Sequence, residues 1–224
     1  MEINNILCVS INNGPYKEVI EIIKKYDFVE LCIDKLNYNI YELVELISFT
    51  KKVIISCNNI ISTNPDRDRL FKLMEVVNCG ANIFDIPISS VNFKANFIEL
   101  IDKIKIIKKQ IIISYHQYEP LVNIQKIQDE INKMMLFKAD FYKIAVKCNS
   151  INDTNILFSL YEKNKELNGK LIIIPMISKY PFARIRALEL GAPFMYCYDN
   201  YPTAEGQMSY KEMKTTLKNI NNNK

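Results

Sequence analysis

Residues 111–146 read IIISYHQYEPLVNIQKIQDEINKMMLFKADFYKIAV and contain one complete structural unit. Its opening, Ile111-Ile112-Ile113-Ser114-Tyr115-His116, is a short β-branched apolar run, which predicts a buried strand. Ile124, Ile127, Ile131 and Met134 then recur at helical spacing, and Phe141-Tyr142-Lys143-Ile144-Ala145-Val146 is a second strand-like run. Two buried strands joined by an amphipathic helix make a parallel pair, because only a crossover of that length brings the chain back in the same direction.

The same alternation extends outward in both directions. Apolar runs at Ile6 to Ile11, Phe28 to Ile33, Val53 to Cys57, Ile83 to Ile86, Leu171 to Met176 and Phe194 to Tyr198 bring the expected strands to eight. Between them lie helical stripes: Val19, Ile22 and Ile23, then Leu43, Leu46 and Ile47, then Phe97, Leu100, Ile101 and Ile104. A later stripe is Ile156, Leu157, Leu160 and Tyr161, and Asn39 and Asp68 stand where helices should open. Continuous apolar strands alternating with helices imply a parallel sheet covered by helices. Eight units in a chain of 224 residues point to one α/β domain, a (β/α)8 TIM barrel over residues 1–220, with a disordered polar tail at 221–224. The competing open doubly wound sheet lacks its phosphate-binding signature: the chain has five glycines and no Gly-x-Gly-x-x-Gly after its first strand.

Composition narrows the function. The net charge of +4 comes from lysines interleaved with acids, with no dense basic block, so nothing favours a nucleic-acid partner. The six cysteines are dispersed without the paired spacing of a zinc or redox motif, and a single histidine makes a mixed metal cluster improbable. No apolar run is long enough to span a bilayer and no leader pattern opens the chain, so a reduced, cytoplasmic protein without a membrane partner is expected.

In a barrel, chemistry gathers at the C-terminal ends of the strands. That rule selects Glu30 and Asp34 around strand two, Cys57 and Asn58 after strand three, Pro87 after strand four, His116 on strand five and Lys143 on strand six. Met176 on strand seven and the loop Thr203 to Gln207 after strand eight complete the set. A lone histidine at a strand end is more often a turn or core residue, and a strand lysine often snorkels to solvent. Together, however, a desolvated lysine that attacks a carbonyl and an imidazole that moves protons beside it are a pairing for imine chemistry. Glu30 alternates in phase with Cys32 and Asp34, and carboxylates facing a barrel interior need partners, either a polar ligand or hydrogen bonds within the core.

These residues fall in an ordered pattern. Glu30-Leu31-Cys32-Ile33-Asp34 resembles a Glu-x-Arg-x-Asp strand, and Cys79-Gly80-Ala81-Asn82-Ile83-Phe84-Asp85 resembles a Gly-Ala-Asp-x-x-Asp approach to strand four. Ser114-Tyr115-His116-Gln117-Tyr118 resembles Ser-x-His-Asp-Phe, and Ala139-Asp140-Phe141-Tyr142-Lys143-Ile144-Ala145 resembles Ala-Asp-x-x-Lys-x-Ala. Arg184 with Gly191-Ala192 is similar to an arginine-bearing helix after strand seven, and Ala204-Glu205-Gly206-Gln207 to an Ala-Pro-Gly-Gln loop. In this order they resemble the type I 3-dehydroquinate dehydratases, the Schiff-base barrel enzymes of the shikimate pathway. The pattern departs at Cys32 and Asn58, where the family has arginines, at Pro87, where it has a strand-four glutamate, and at Ile177 to Tyr180, where it has Gly-x-x-Gly.

The resemblance implies that Lys143 forms an imine with the ketone of 3-dehydroquinate and that His116 removes the adjacent proton and then protonates the departing hydroxyl. It implies that Arg184 meets the substrate carboxylate, that Gln207 and Thr203 add hydrogen bonds and that Glu30 holds ring hydroxyls. Met176 would line the same mouth, and Asn58, Asn59 or Lys179 would take over from the missing arginines. It implies a homodimer and no cofactor or metal, since the imine itself is the electron sink. Two other readings stand beside it: a non-enzymatic descendant, and a Schiff-base lyase or aldolase acting on another oxo acid.

Overall fold

The computed structural model describes residues 6–58 and 60–222. Among them are eight strands: β1 (Leu7–Ile11), β2 (Phe28–Cys32), β3 (Lys52–Ser56), β4 (Ile83–Pro87), β5 (Gln110–Pro120), β6 (Phe141–Lys147), β7 (Leu171–Met176) and β8 (Met195–Cys197). Eight α-helices alternate with them: α1 (Tyr16–Ile23), α2 (Ile40–Ser48), α3 (Pro65–Glu75), α4 (Lys94–Ile106), α5 (Ile124–Met135), α6 (Ile151–Lys163), α7 (Ala183–Glu189) and α8 (Tyr210–Asn222). The strand order is β7-β6-β5-β4-β3-β2-β1-β8, in which the first strand lies beside the last. Every residue of β1, β4 and β7 is buried, as expected for parallel strands covered on both faces.

The chain divides into two compact units. One comprises Ser10–Ile113, where β2, β3 and β4 pair in parallel, with Cys32 opposite Ser56 and Ser56 opposite Asp85. The helices of this unit turn the expected apolar stripes inward: Val19 and Ile23, Leu43 and Leu46, and Phe97, Leu100, Ile101 and Ile104 are buried. Asn39 caps α2 as expected. Its side chain accepts from the Tyr41 and Glu42 amides, while Glu42 accepts from the Asn39 amide. Asp68 does not open a helix: Asn64 holds the N-cap position of α3, and Asp68 lies in the first turn behind Pro65, a residue that needs no amide bond there.

The other unit comprises the segment ending at Val9 together with Ser114 onward. Here β1 pairs with β8, setting Cys8 opposite Tyr196, and β6 pairs with β7, setting Lys143 opposite Ile172. Ile127, Ile131 and Met134 of α5 are buried, as are Leu157, Leu160 and Tyr161 of α6, whereas Ile156 at the edge of its stripe is 40% exposed. Helix α8 continues to Asn222, so Asn221 and Asn222 are helical, and residues 223–224 lie outside the described residues.

One boundary differs in a way that matters for the site. Strand β5 does not end at His116 but runs on to Pro120. The extension is held by the Gln117 side chain, whose amide donates to the Glu119 and Pro120 carbonyls, and by the Leu121 amide, which donates to the Lys147 carbonyl at the end of β6. Polar letters after His116 look like a turn because their strand bonds come from a neighbour far away in sequence.

Candidate active site

Lys143 sits in the middle of β6 and is 4% exposed. Burial of that degree rules out snorkelling. Its Nζ lies 5.0 Å from the centroid of the Tyr196 ring on β8. On β5, half-buried His116 lies parallel to Tyr118 two residues on, with centroids 6.3 Å apart and planes 13° apart. The alternate face of the strand carries Tyr115, whose hydroxyl donates to Gln117 Oε1. His116 is thus held by strand geometry and stacking.

Arg184 of α7 is 1% exposed and works on the loop after β8. Its Nε donates to the Gly206 carbonyl at 3.0 Å, its Nη2 to the Glu205 carbonyl at 3.2 Å and its Nη1 to the Tyr196 carbonyl at 3.4 Å. A planar fork suits this task, since it reaches the successive carbonyls of Glu205 and Gly206 together. Gln207, 8% exposed, accepts from the Thr203 amide and hydroxyl at 2.6 and 3.0 Å. Met176 is the last residue of β7, 7% exposed, and its carbonyl accepts from the Cys148 amide. A cleft of about 900 Å³ reaches Gln207, Glu205, Ser178 and Lys211, but its lining includes neither Lys143 nor His116.

Two further bonds fix the Thr203–Gln207 loop. The Ser178 hydroxyl and amide both donate to Glu205 Oε1, at 2.8 and 3.3 Å. Gly206, at φ +67°, approaches the Ile177 backbone so closely that a Cβ would run into the Ile177 carbonyl oxygen. Ser178 lies in the segment where the sequence pattern departs, and the structure joins it to Glu205 of the last loop.

In the Ser10–Ile113 unit, Glu30 is 6% exposed and accepts from the Ser10 hydroxyl at 2.7 Å. The Asn58 amide donates to Asp34 Oδ1 at 3.2 Å, while the Asn58 side-chain oxygen is out of solvent without a hydrogen-bond partner among the described residues. An unmet acceptor of this kind suits a ligand hydroxyl. Asn59 lies outside the described residues. Burial, with the Asp34 carboxylate adding to it, pushes the Cys57 thiol up to about 12. Pro87 is the final residue of β4, at φ −63°, where a missing amide donor is tolerated. Among the described residues, no group of three or more His, Cys, Asp or Glu side chains could hold a metal ion.

Sequence reasoning missed Tyr118, Tyr196 and Ser178, and reached Glu205 only as part of the Thr203 to Gln207 loop. Tyr118 could have been found, since it lies in phase with His116 once the strand is extended. The other three depend on contacts between distant segments.

The strand order and these side chains define the class: an enzyme built on a (β/α)8 barrel. Solved structures share that fold. The type I 3-dehydroquinate dehydratase of Clostridium difficile superposes with a TM-score of 0.82 at 20% identity over 98% of this chain and 93% of that one. The 3-dehydroquinate dehydratase of Aquifex aeolicus gives 0.77 at 24% identity over 96% and 98%. Residues 7–224 match the type I 3-dehydroquinase family, and the chain belongs to it. Relatives include the 3-dehydroquinate dehydratase of Desulfotalea psychrophila, 24% identical over 93% of this chain and 95% of its own, and that of Coxiella burnetii, 28% identical over 84% and 80%.

Proposed function

We propose that the protein is a hydro-lyase that converts 3-dehydroquinate to 3-dehydroshikimate through an imine on Lys143. The observation that carries this reading is a lysine 4% exposed at the motif position of a chain that matches the family from residue 7 to 224. The neutral amine attacks the ketone carbon. Loss of water with uptake of one proton leaves a protonated imine, whose charge acidifies the neighbouring C–H. His116 takes that proton to give the enamine, then returns it to the departing hydroxyl, which leaves as water. A second water hydrolyses the conjugated imine, freeing 3-dehydroshikimate, the Lys143 amine and the proton taken up, so that the net loss is one water for each substrate.

Gln207 and Thr203 supply hydrogen bonds to substrate from the last loop, and Met176 lines the mouth with an apolar surface. Arg184 meets the carboxylate with guanidinium N–H groups while holding the loop. Glu30 reads ring hydroxyls, as does Asn58 through its unmet oxygen. The reading carries a homodimer working in the cytoplasm. No helix among the described residues is long and apolar enough to cross a membrane. Sedimentation velocity tests the dimer.

Incubation with 3-dehydroquinate and borohydride tests the chemistry, since hydride reduces the protonated imine to a stable secondary amine. A reduced adduct on Lys143, located by peptide mass spectrometry and absent from Lys143→Met, is expected. Dehydration by wild type without any adduct would exclude the imine route, and an adduct without dehydration would favour a different oxo-acid substrate.

A further inference from the structure

Beside the proposed nucleophile lies the aromatic face of Tyr196, a residue to which the reading above gives no role. Both partners are out of solvent, each 4% exposed, with Nζ 5.0 Å from the ring centroid. The ring is held from its edge. Phe194 meets it at 5.7 Å and 67°, and Phe141, two residues before Lys143 on β6, meets Phe194 at 5.4 Å and 83°. The backbone is held as well, because Tyr196 pairs with Cys8 of β1 and its carbonyl accepts from Arg184. A ring fixed in this way presents a constant negative face to whatever charge the Lys143 nitrogen carries.

We infer that Tyr196 is a cation-stabilising residue of the reaction, its ring face holding the positive charge on the Lys143 nitrogen in the protonated imine. This rests on the imine reading above. Along that sequence the nitrogen alternates between neutral and cationic species: the amine, carbinolamine and enamine are neutral, and the two protonated imines, before and after loss of the hydroxyl, carry a full charge. A ring quadrupole that does not move favours the cations over their neutral neighbours at each change, in a place largely out of solvent. The ring does not exchange protons or electrons. The hydroxyl of Tyr196 has no part in this, so the face should work equally well on phenylalanine.

The test grades the face while keeping its volume. Position 196 is filled in turn by tyrosine, by phenylalanine (Tyr196→Phe) and by mono-, di- and trifluorinated phenylalanine, in which each fluorine draws charge from the face. Tyr196→Phe should keep kcat within about twofold, and kcat should then fall with each fluorine to a loss on the order of tenfold, with KM changing less. The rate at which borohydride captures the Lys143 adduct should fall in parallel. Thermal melts confirm that each protein is folded. Equal rates across the fluorinated series would overturn the inference, and so would a loss already complete in Tyr196→Phe, which would place the work in the hydroxyl. Failure of the imine reading is distinct, because wild type would then give no adduct at all, and this inference would fall with it.

Discussion

At the scale of single residues, Arg184 shows how one buried side chain can hold a loop. Three of its donors meet backbone carbonyls of Tyr196, Glu205 and Gly206. Lysine at this position could satisfy one of them, and each buried carbonyl left unmet costs about 1–3 kcal/mol. Only the Tyr196 bond is fully buried, so Arg184→Lys should lower unfolding free energy in urea by about 1–3 kcal/mol, and a change below about 0.5 kcal/mol would show that the guanidinium does not hold the loop. The thiols give a second prediction. Burial raises Cys57 to about 12, helped by Asp34, and Cys148 to about 11. Since the thiolate is the reactive form, both should resist iodoacetamide near pH 8 in the native protein and react once it is unfolded. Lys143 and His116 were legible in the sequence because a titratable side chain inside an apolar run breaks its pattern. Tyr196 was not, because a tyrosine in a strand has the same letter whether it fills core or faces a lysine.

At the scale of elements, periodicity located the strands and helices, while their ends depended on partners remote in sequence. The extension of β5 through Tyr118, which supplies the stacking partner of His116, rests on a bond from Leu121 to Lys147 of β6. Likewise, the Thr203–Gln207 loop takes its shape from Ser178 and Ile177, which belong to the loop after β7. Gly206 packs against the Ile177 backbone, in a left-handed conformation that strains any other residue. Gly206→Ala must push the loop off Ile177 and with it move Gln207. The expected outcome is a KM for 3-dehydroquinate raised about tenfold or more. Steady-state kinetics checks this, and an unchanged KM would mean that Gln207 does not bind substrate from its observed position. Glu205→Gln keeps an acceptor for the Ser178 hydroxyl and should be mild by comparison.

For the whole molecule, the alternation of buried strands with amphipathic helices pointed to a barrel once the missing Gly-x-Gly-x-x-Gly had set aside an open doubly wound sheet. The acid response of that fold was not legible, since it depends on which carboxylates act as caps. Asp153 is held below its ordinary 3.8 by amide bonds from Asn149 and Ser150 and the Ser150 hydroxyl at the start of α6. Glu212 is held below 4.5 by the Ser209 hydroxyl and amide at the start of α8. A carboxyl whose folded pKa lies below its unfolded value binds fewer protons in the native state. Its stabilisation is complete above the unfolded value and is lost as pH falls through the folded one. Thermal stability of the protein should therefore be flat on the acid side until about pH 5 and then decline, steepening below about pH 4. Asp153→Asn with Glu212→Gln preserves acceptors at both caps and removes their titration. The double variant should be somewhat less stable at neutral pH, where the charged caps also favour the helix N-termini, and should lose less on acidification than wild type. Melting curves measured by circular dichroism across that range decide it: parallel acid limbs in the two proteins would mean that other carboxylates govern acid unfolding.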